Sequence, residues 1–356
     1  MSSTSNDGPK KDGPTGRVAI SDVAQHAGVS RGSVSNFLNR PDLLSEGIRK
    51  RIADAVDELG FVPSDAARQL RSGRNSVIGY VAFEVSNSYF GAVADAIELA
   101  ARSAGYTVMI GNSLGSEQRE REYLRLFEQQ RVGGVIVAPL GDIEEELARM
   151  RQRGTPSVVG GREARAADQP SVSVDDVEGG RLATRHLLET GKRRIAFVGG
   201  PLGLQQIASR FEGAIEAVRE VPDATLEMIA AEHRTVVEGR RIGEMLLRRG
   251  PGQQPDGIFA ANDLLAMGVM QALGIDGGLT IPADVAIIGY DDSDFDQTAF
   301  VPLSSIRTPH SALGDATVQL LLNPNTTTTG GDGLHMVFKP ELVVRSSTSF
   351  DPRPSK

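Results

Sequence analysis

Three hundred and fifty-six residues, at about one domain per 150, make two or three folded units with ample length for a buried core. Hydrophobic residues at 40% and charged residues at 24% are ordinary globular values, and no apolar run reaches the roughly 20 residues that span a bilayer, so no membrane partner is expected. The count of zero cysteines excludes disulfides and thiolate metal sites, and a net charge of -8 taken alone speaks against nucleic acid.

That average hides an asymmetry. Residues 10–75 hold 11 Lys/Arg against 8 Asp/Glu, a surplus of +3, which leaves -11 on the remainder. A weakly basic amino-terminal module on an acidic body is the layout expected where only the first part meets phosphate. The opening MSSTSNDGPKKDGPTG lacks the apolar stretch of a secretory signal, which fits a cytoplasmic protein, and residues 1–16 read as a disordered tail.

Three short helices follow, over 21–27, 30–38 and 45–59. The third carries Ile48, Ile52, Val56 and Leu59 on one face, with Ser45 as its N-cap and Gly60 as its end. After Pro63, SDAARQLRSG reads as a further short helix. Its core, Ser64 to Arg71, has eight residues, fewer than the roughly 12–15 at which an isolated helix becomes marginal, so it needs a partner to form.

From Asn75 the rhythm changes to apolar runs of strand length separated by amphipathic segments of helix length, which predicts parallel α/β architecture. The runs are VIGYVAF from Val77, TVMIG from Thr107, GVIVAP from Gly134, PSVVG from Pro156, SVSV from Ser171, RIAFVGG from Arg194, GIFAAND from Gly257 and VAIIGYDD from Val285. Eight runs exceed one small sheet. Two doubly wound lobes are expected, with a ligand cleft at the carboxyl ends of their strands. NPNTTTTGGDG from Asn323 reads as a surface loop, and MVF and ELVV as two last strands.

The stretch ISDVAQHAGVSRGSVSNFLN has the chemistry of a helix-turn-helix. Ala24 is small where two helices cross, Gly28 suits a positive-φ turn, and Val29, Val34, Phe37 and Leu38 supply a little core. Ser30 would cap the second helix, whose first turn enters the major groove. Arg31 can fork onto guanine and Asn36 can pair with adenine; Ser30, Ser33 and Asn39 complete the DNA-facing set. An ordinary helical hairpin with solvated polar residues would carry the same pattern.

Together with ELGFVPSDAARQLRSG at Glu58, NDLLAMG at Asn262 and VAIIGYDD at Val285, this stretch resembles the LacI/GalR family of transcriptional regulators, over nearly the whole span from Arg17 to Arg345. The resemblance implies a homodimer whose headpieces read the halves of a near-palindromic operator, and a regulatory core similar to periplasmic sugar-binding proteins. It divides the chain into a helix-turn-helix headpiece at 17–63, a hinge helix and linker at 64–74, and a core at 75–350. The core's lobes are expected at about 75–172 plus 305–335, and 173–304 plus 336–350. Residues 64–71 match the family's hinge helix, which implies that Leu70 wedges into the minor groove while Arg68 and Arg71 meet phosphates. Where the family usually places a capping Thr, Ala19 stands here, so the first helix is expected to start late unless Ser21 caps it. The recognition helix reads VSRGSVSNFLN against the usual VSxxTVSRVLN, so no operator sequence carries over.

In the core, Asn262 and Asp291 each follow an apolar run at its carboxyl end, and both match family effector residues, as does Arg210. One Arg, one Asn and one Asp suit the vicinal hydroxyls of a sugar. Tyr89 or Phe90 is placed either to stack on a sugar face or simply to pack. Asp175 is expected to cap the following helix. Arg162 and Arg234 fall where relatives vary with their effector; each has the reading of an anion contact beside that of a solvated arginine. A purine effector is disfavoured, because the purine-binding relatives carry an aromatic residue where Arg234 stands. No nucleotide loop, serine-nucleophile or zinc motif is present and the five histidines are scattered, so neither a cofactor nor an enzymatic activity is expected. The rival reading is a plain solute-binding protein without a DNA function, which would need an export signal and no headpiece.

Overall fold

The computed structural model describes residues 18–62, 75–250, 252–323 and 334–349. The chain divides into two units, Met1–Arg74 and Asn75–Lys356. The first contains α1 (Ile20–His26), α2 (Arg31–Asn39) and α3 (Glu46–Leu59). Val23, Val34 and Ile52 are fully buried at its centre, with Phe37, Leu38 and Leu59 packed around them. Burial of each such side chain contributes about 1.5–3 kcal/mol, more than any one cap, so the core and not the capping residues decides that this unit folds. Accordingly α1 does not start late. It begins directly after Ala19, whose N–H donates to the Asp22 carboxylate at 2.8 Å, replacing the missing side-chain cap with half of a capping box. Ser45 occupies the N-cap position of α3 without a side-chain bond, and Gly60 ends that helix in the left-handed region at φ 60°.

In the second unit the alternation of apolar runs becomes β1 (Val77–Ala82), α4 (Ser88–Ser103), β2 (Thr107–Asn112), α5 (Glu117–Gln129), β3 (Gly134–Val137), α6 (Glu144–Gln152), β4 (Ser157–Gly160) and β5 (Ser171–Val174). It continues through α7 (Asp176–Glu189), β6 (Arg194–Gly199), α8 (Gln205–Arg219), β7 (Thr225–Ala230), α9 (Val236–Leu247), β8 (Gly257–Ala260), α10 (Asp263–Met270) and β9 (Ala286–Ile288). β10 (Ser305–Arg307), α11 (His310–Leu322), β11 (His335–Phe338) and β12 (Glu341–Val343) close the fold. One sheet has the order β11-β5-β4-β3-β1-β2, the other β7-β6-β8-β9, and every pairing within them is parallel. In both, the second strand of the run lies outside the first and the third lies on its other side, which opens a crevice at the strand ends.

β10 and β12 pair antiparallel, and β10 is bridged to the end of β9 through Ile288 and Ser304. These pairings move the expected lobe borders. β5 belongs whole to the first lobe, as does β11 through Phe338, whereas β10 joins the second, its Ile306 packing with Phe197 and Tyr290. The chain therefore passes between lobes three times, at 174–176, 307–310 and 338–341. β7 and β10 were not foreseen as strands: the first is a half-buried edge containing Glu227, the second only Ser-Ile-Arg. No helix among the described residues is long and apolar enough to cross a membrane.

Candidate DNA-reading surface and ligand cavity

Gly28, at φ 63°, makes the turn between α1 and α2. Ser30 caps α2, its hydroxyl accepting from the Ser33 N–H at 3.0 Å and sharing a further 2.9 Å bond with the Ser33 hydroxyl. Those two hydroxyls are thus engaged with each other at the helix start. Arg31 and Asn36 stand exposed on α2, and Asn39 is exposed with its amide donating to the Ser35 carbonyl at 2.7 Å. Among the described residues neither the Arg31 nor the Asn36 side chain has a hydrogen-bond or ion-pair partner, so both are free to reach a base edge. His26 on α1 reaches Glu58 on α3 at 2.7 Å, away from that row. Arg68, Leu70 and Arg71, with the rest of the hinge segment and the amino-terminal tail, lie outside the described residues.

In the second unit a cavity opens between the lobes at the carboxyl ends of the strands. The first lobe contributes Phe83, Asn87, Tyr89, Phe90, Ala138, Pro139, Gly161 and Val174; the second contributes Asp176, Leu204, Gln206, Ile207, Arg210, Arg234, Asn262 and Asp291. Its make-up, an apolar lining with a few converging polar groups, is that of a small-molecule binding site.

Arg210 is the best-anchored of these. It projects from α8, which crosses α7 where Gly180 and Gly213 replace side chains: a Cβ on Gly180 would run into the Arg210 carbonyl, and one on Gly213 into that of Val177. The guanidinium donates to Asp176 at 2.8 Å and to the Ala261 carbonyl at 2.6 Å, and lies 3.5 Å from the Tyr290 ring centroid. Burial alone would lower its pKa, but the charges of Asp176, Tyr290 and Asp291 outweigh that and push it up.

Asp291 holds one buried carboxylate oxygen with no hydrogen-bond partner, 3.9 Å from the Arg210 guanidinium. Its backbone is in the left-handed half of conformational space at φ 109°, and Asp292 follows at φ 56°. Two such residues in succession are costly, and persist because the surroundings over-determine them. The Asp291 N–H donates to the Ile306 carbonyl at 2.8 Å, and the Asp292 carboxylate accepts from Arg307 and Arg345, each at 2.6 Å. Burial pushes the Asp291 carboxyl well above the ordinary range; Arg210 opposes the rise while Asp263 and Asp176 add to it.

Asn262 is less free than its position implies. Its amide oxygen caps α10 through the Leu265 N–H at 3.0 Å, and its amide nitrogen donates to the Arg234 carbonyl at 3.3 Å. It shapes the wall that carries Arg234. Phe83 and Phe90 stack at 5.6 Å with planes 17° apart, Tyr89 meets Phe90 edge-on at 5.1 Å, and the Arg234 guanidinium sits 4.6 Å from the Phe83 centroid. Asp175 caps α7 through the Glu178 N–H at 2.9 Å.

Two arginines with the same sequence reading separate here. Arg162 is not brought to this cavity: its guanidinium is buried against Glu144 at 2.8 Å and donates to the Glu163 carbonyl, so it is a structural ion pair beside an adjoining hollow. Arg234 does line the cavity. Asp176 and Phe83 are among the lining residues that sequence reasoning did not name for the site. The signal for Asp176 was the second carboxylate of the SVDD turn, and for Phe83 the aromatic residue that closes the VIGYVAF run.

Residues 19–64 match the family profile described as bacterial regulatory proteins, lacI family, and residues 184–348 match that of a periplasmic binding protein-like domain. The HTH-type transcriptional repressor PurR of Vibrio atlanticus is 31% identical, over 93% of this chain and 98% of its own length. The ribose operon repressor of Halalkalibacterium halodurans is 34% identical, over 86% and 89% respectively. Among solved structures, the Lac repressor dimer bound to operator and the anti-inducer ONPF is similar with a TM-score of 0.79 and 25% identity, over 94% of this chain and 99% of that one. With a helix-turn-helix unit, a two-lobed core and relatives aligned along nearly its whole length, the chain belongs to the lacI family of bacterial regulatory proteins, DNA-binding transcriptional regulators with a small-molecule-binding core.

Proposed function

We propose that this regulator is a repressor that binds near-palindromic operator DNA as a homodimer in the cytoplasm, and that a polyhydroxylated small molecule held between the lobes controls its affinity. The observation that carries the ligand reading is the Arg210–Asp291 pair, brought to one cavity wall from elements about 80 residues apart, with an unpaired carboxylate oxygen beside a fixed guanidinium. Sugar hydroxyls match that donor and acceptor set, and the Phe83–Phe90 stack offers an apolar face. The DNA reading rests on the exposed Arg31 and Asn36 of α2. The homodimer reading is supported by the solved Lac repressor, which is a dimer on operator. The effector acts by binding one arrangement of the lobes more tightly than another; coupling of about 1–3 kcal/mol is typical. A gel-shift assay at stated salt, on DNA upstream of the protein's own and neighbouring genes, tests this: retardation that changes on adding a sugar is expected. A genome-wide pull-down that retrieves no fragment, with and without ligands, overturns it.

A further inference from the structure

Two carboxylates and two guanidiniums line the cavity. Three of the four are matched from within the protein: Asp176 holds Arg210 at 2.8 Å, and Asp291 lies 3.9 Å from the same guanidinium. Arg234 differs. Among the described residues it forms no ion pair, and its contacts are the Phe83 ring at 4.6 Å and a 3.5 Å bond to the Gly200 carbonyl, at the outer limit of hydrogen bonding. Its backbone is held by Asn262, so the side chain is aimed by the same strand end that forms the wall. Burial, with the positive charge of Arg210 adding to it, pulls its pKa below the usual arginine value, against the attraction of Glu84 and Asp291.

A half-buried cation without a counter-ion is an unfavourable arrangement that an incoming anion relieves. Packing over the Phe83 ring uses a face of the guanidinium, whereas the fork that receives two oxygens is at its edge, so the two contacts do not compete. The carboxylates do not repel such a ligand strongly, because both are offset by one guanidinium: Arg210 donates to Asp176 at 2.8 Å and lies 3.9 Å from Asp291. We propose that the effector is an anionic polyol whose carboxylate or phosphate is received by Arg234, while Arg210 and Asp291 take hydroxyls at the other end of the cavity. This rests on the cavity being the effector site, as proposed above.

Calorimetric titration of the full-length protein with D-glucose, D-gluconate, D-glucose 6-phosphate, D-ribose and D-ribose 5-phosphate tests it, the acid and the phosphates separating the two sources of charge. At least one charged probe is expected to bind about tenfold or more tightly than its neutral counterpart. Arg234→Gln should weaken that probe roughly 10- to 100-fold and erase the preference. Arg234→Lys, keeping the charge without the fork, should retain part of it. Neutral probes that bind in an Asp291-dependent way with no preference for charge overturn the anion proposal and leave the effector site standing, as does a charged probe whose affinity Arg234→Gln leaves within about twofold. Charged binding that survives both Arg234→Gln and Asp291→Ala overturns the site itself, and no heat from any probe overturns both.

Discussion

Asp291 concentrates burial, strain and an unsatisfied oxygen on one carboxyl group. Replacing it with alanine is expected to abolish the change in operator affinity on adding effector; an unaltered response, read by anisotropy of labelled operator, would remove Asp291 from the site. Behind it, Asp296 is fully buried next to Asp263, which accepts from the Ser305 hydroxyl at 2.7 Å and the Ser293 N–H at 2.9 Å. Burial and then the Asp263 charge push the Asp296 carboxyl up to about 9. A carboxyl whose folded pKa exceeds its unfolded value contributes stability that is complete below about pH 4 and lost as pH climbs through the folded value. Asp296→Asn, permanently neutral, should therefore lose less thermal stability than the wild type between pH 6 and pH 9. Parallel melting-point curves would show that Asp296 is not protonated in the folded protein.

At the scale of elements, the α7–α8 crossing fixes Arg210, since the contact between the two helices is made at Gly180 and at the backbone of Arg210 itself. Gly180→Ala must separate the helices, at about 1–3 kcal/mol for an overpacked contact, and should carry the guanidinium out of register. A lowered melting point together with weakened effector binding is expected, and a melting point loss with unchanged binding would separate the crossing from the site. The elements themselves were largely legible in the sequence, because strands buried on both faces, such as β3 and β8, must be continuous apolar runs. β7 and β10 were not, since β7 interrupts its apolar residues with Glu227 and β10 has only Ile306 between Ser305 and Arg307. Site residues at strand ends, Asn262 and Asp291, were legible for the same reason as the strands. The fates of Arg162 and Arg234 were not, because the partner that captures one, Glu144, and the ring beneath the other, Phe83, are brought close only by folding.

At the scale of the whole molecule, the two units have separate cores, the first centred on Val23, Val34 and Ile52 and the others on the sheets. A chain lacking residues 17–73 is expected to keep its ligand affinity and lose operator binding, whereas a pure solute-binding protein would be indifferent to the deletion. Operator affinity of the full chain should fall steeply between about 50 and 200 mM salt, as counterions released from phosphate demand, while a neutral ligand's affinity should not.

The three passages of the chain between lobes bear on its biosynthesis as well. The first lobe's β5 edge stays bare until residues 335–338 leave the ribosome, and β10 waits as long for β12. A nascent core therefore spends most of its translation with an open sheet margin, the kind of surface that chaperones shield and that recruits neighbouring chains. Premature termination just before Leu334 would leave both halves defective at once, so nonsense fragments of this protein should be aggregated or degraded and not persist as independent half-proteins.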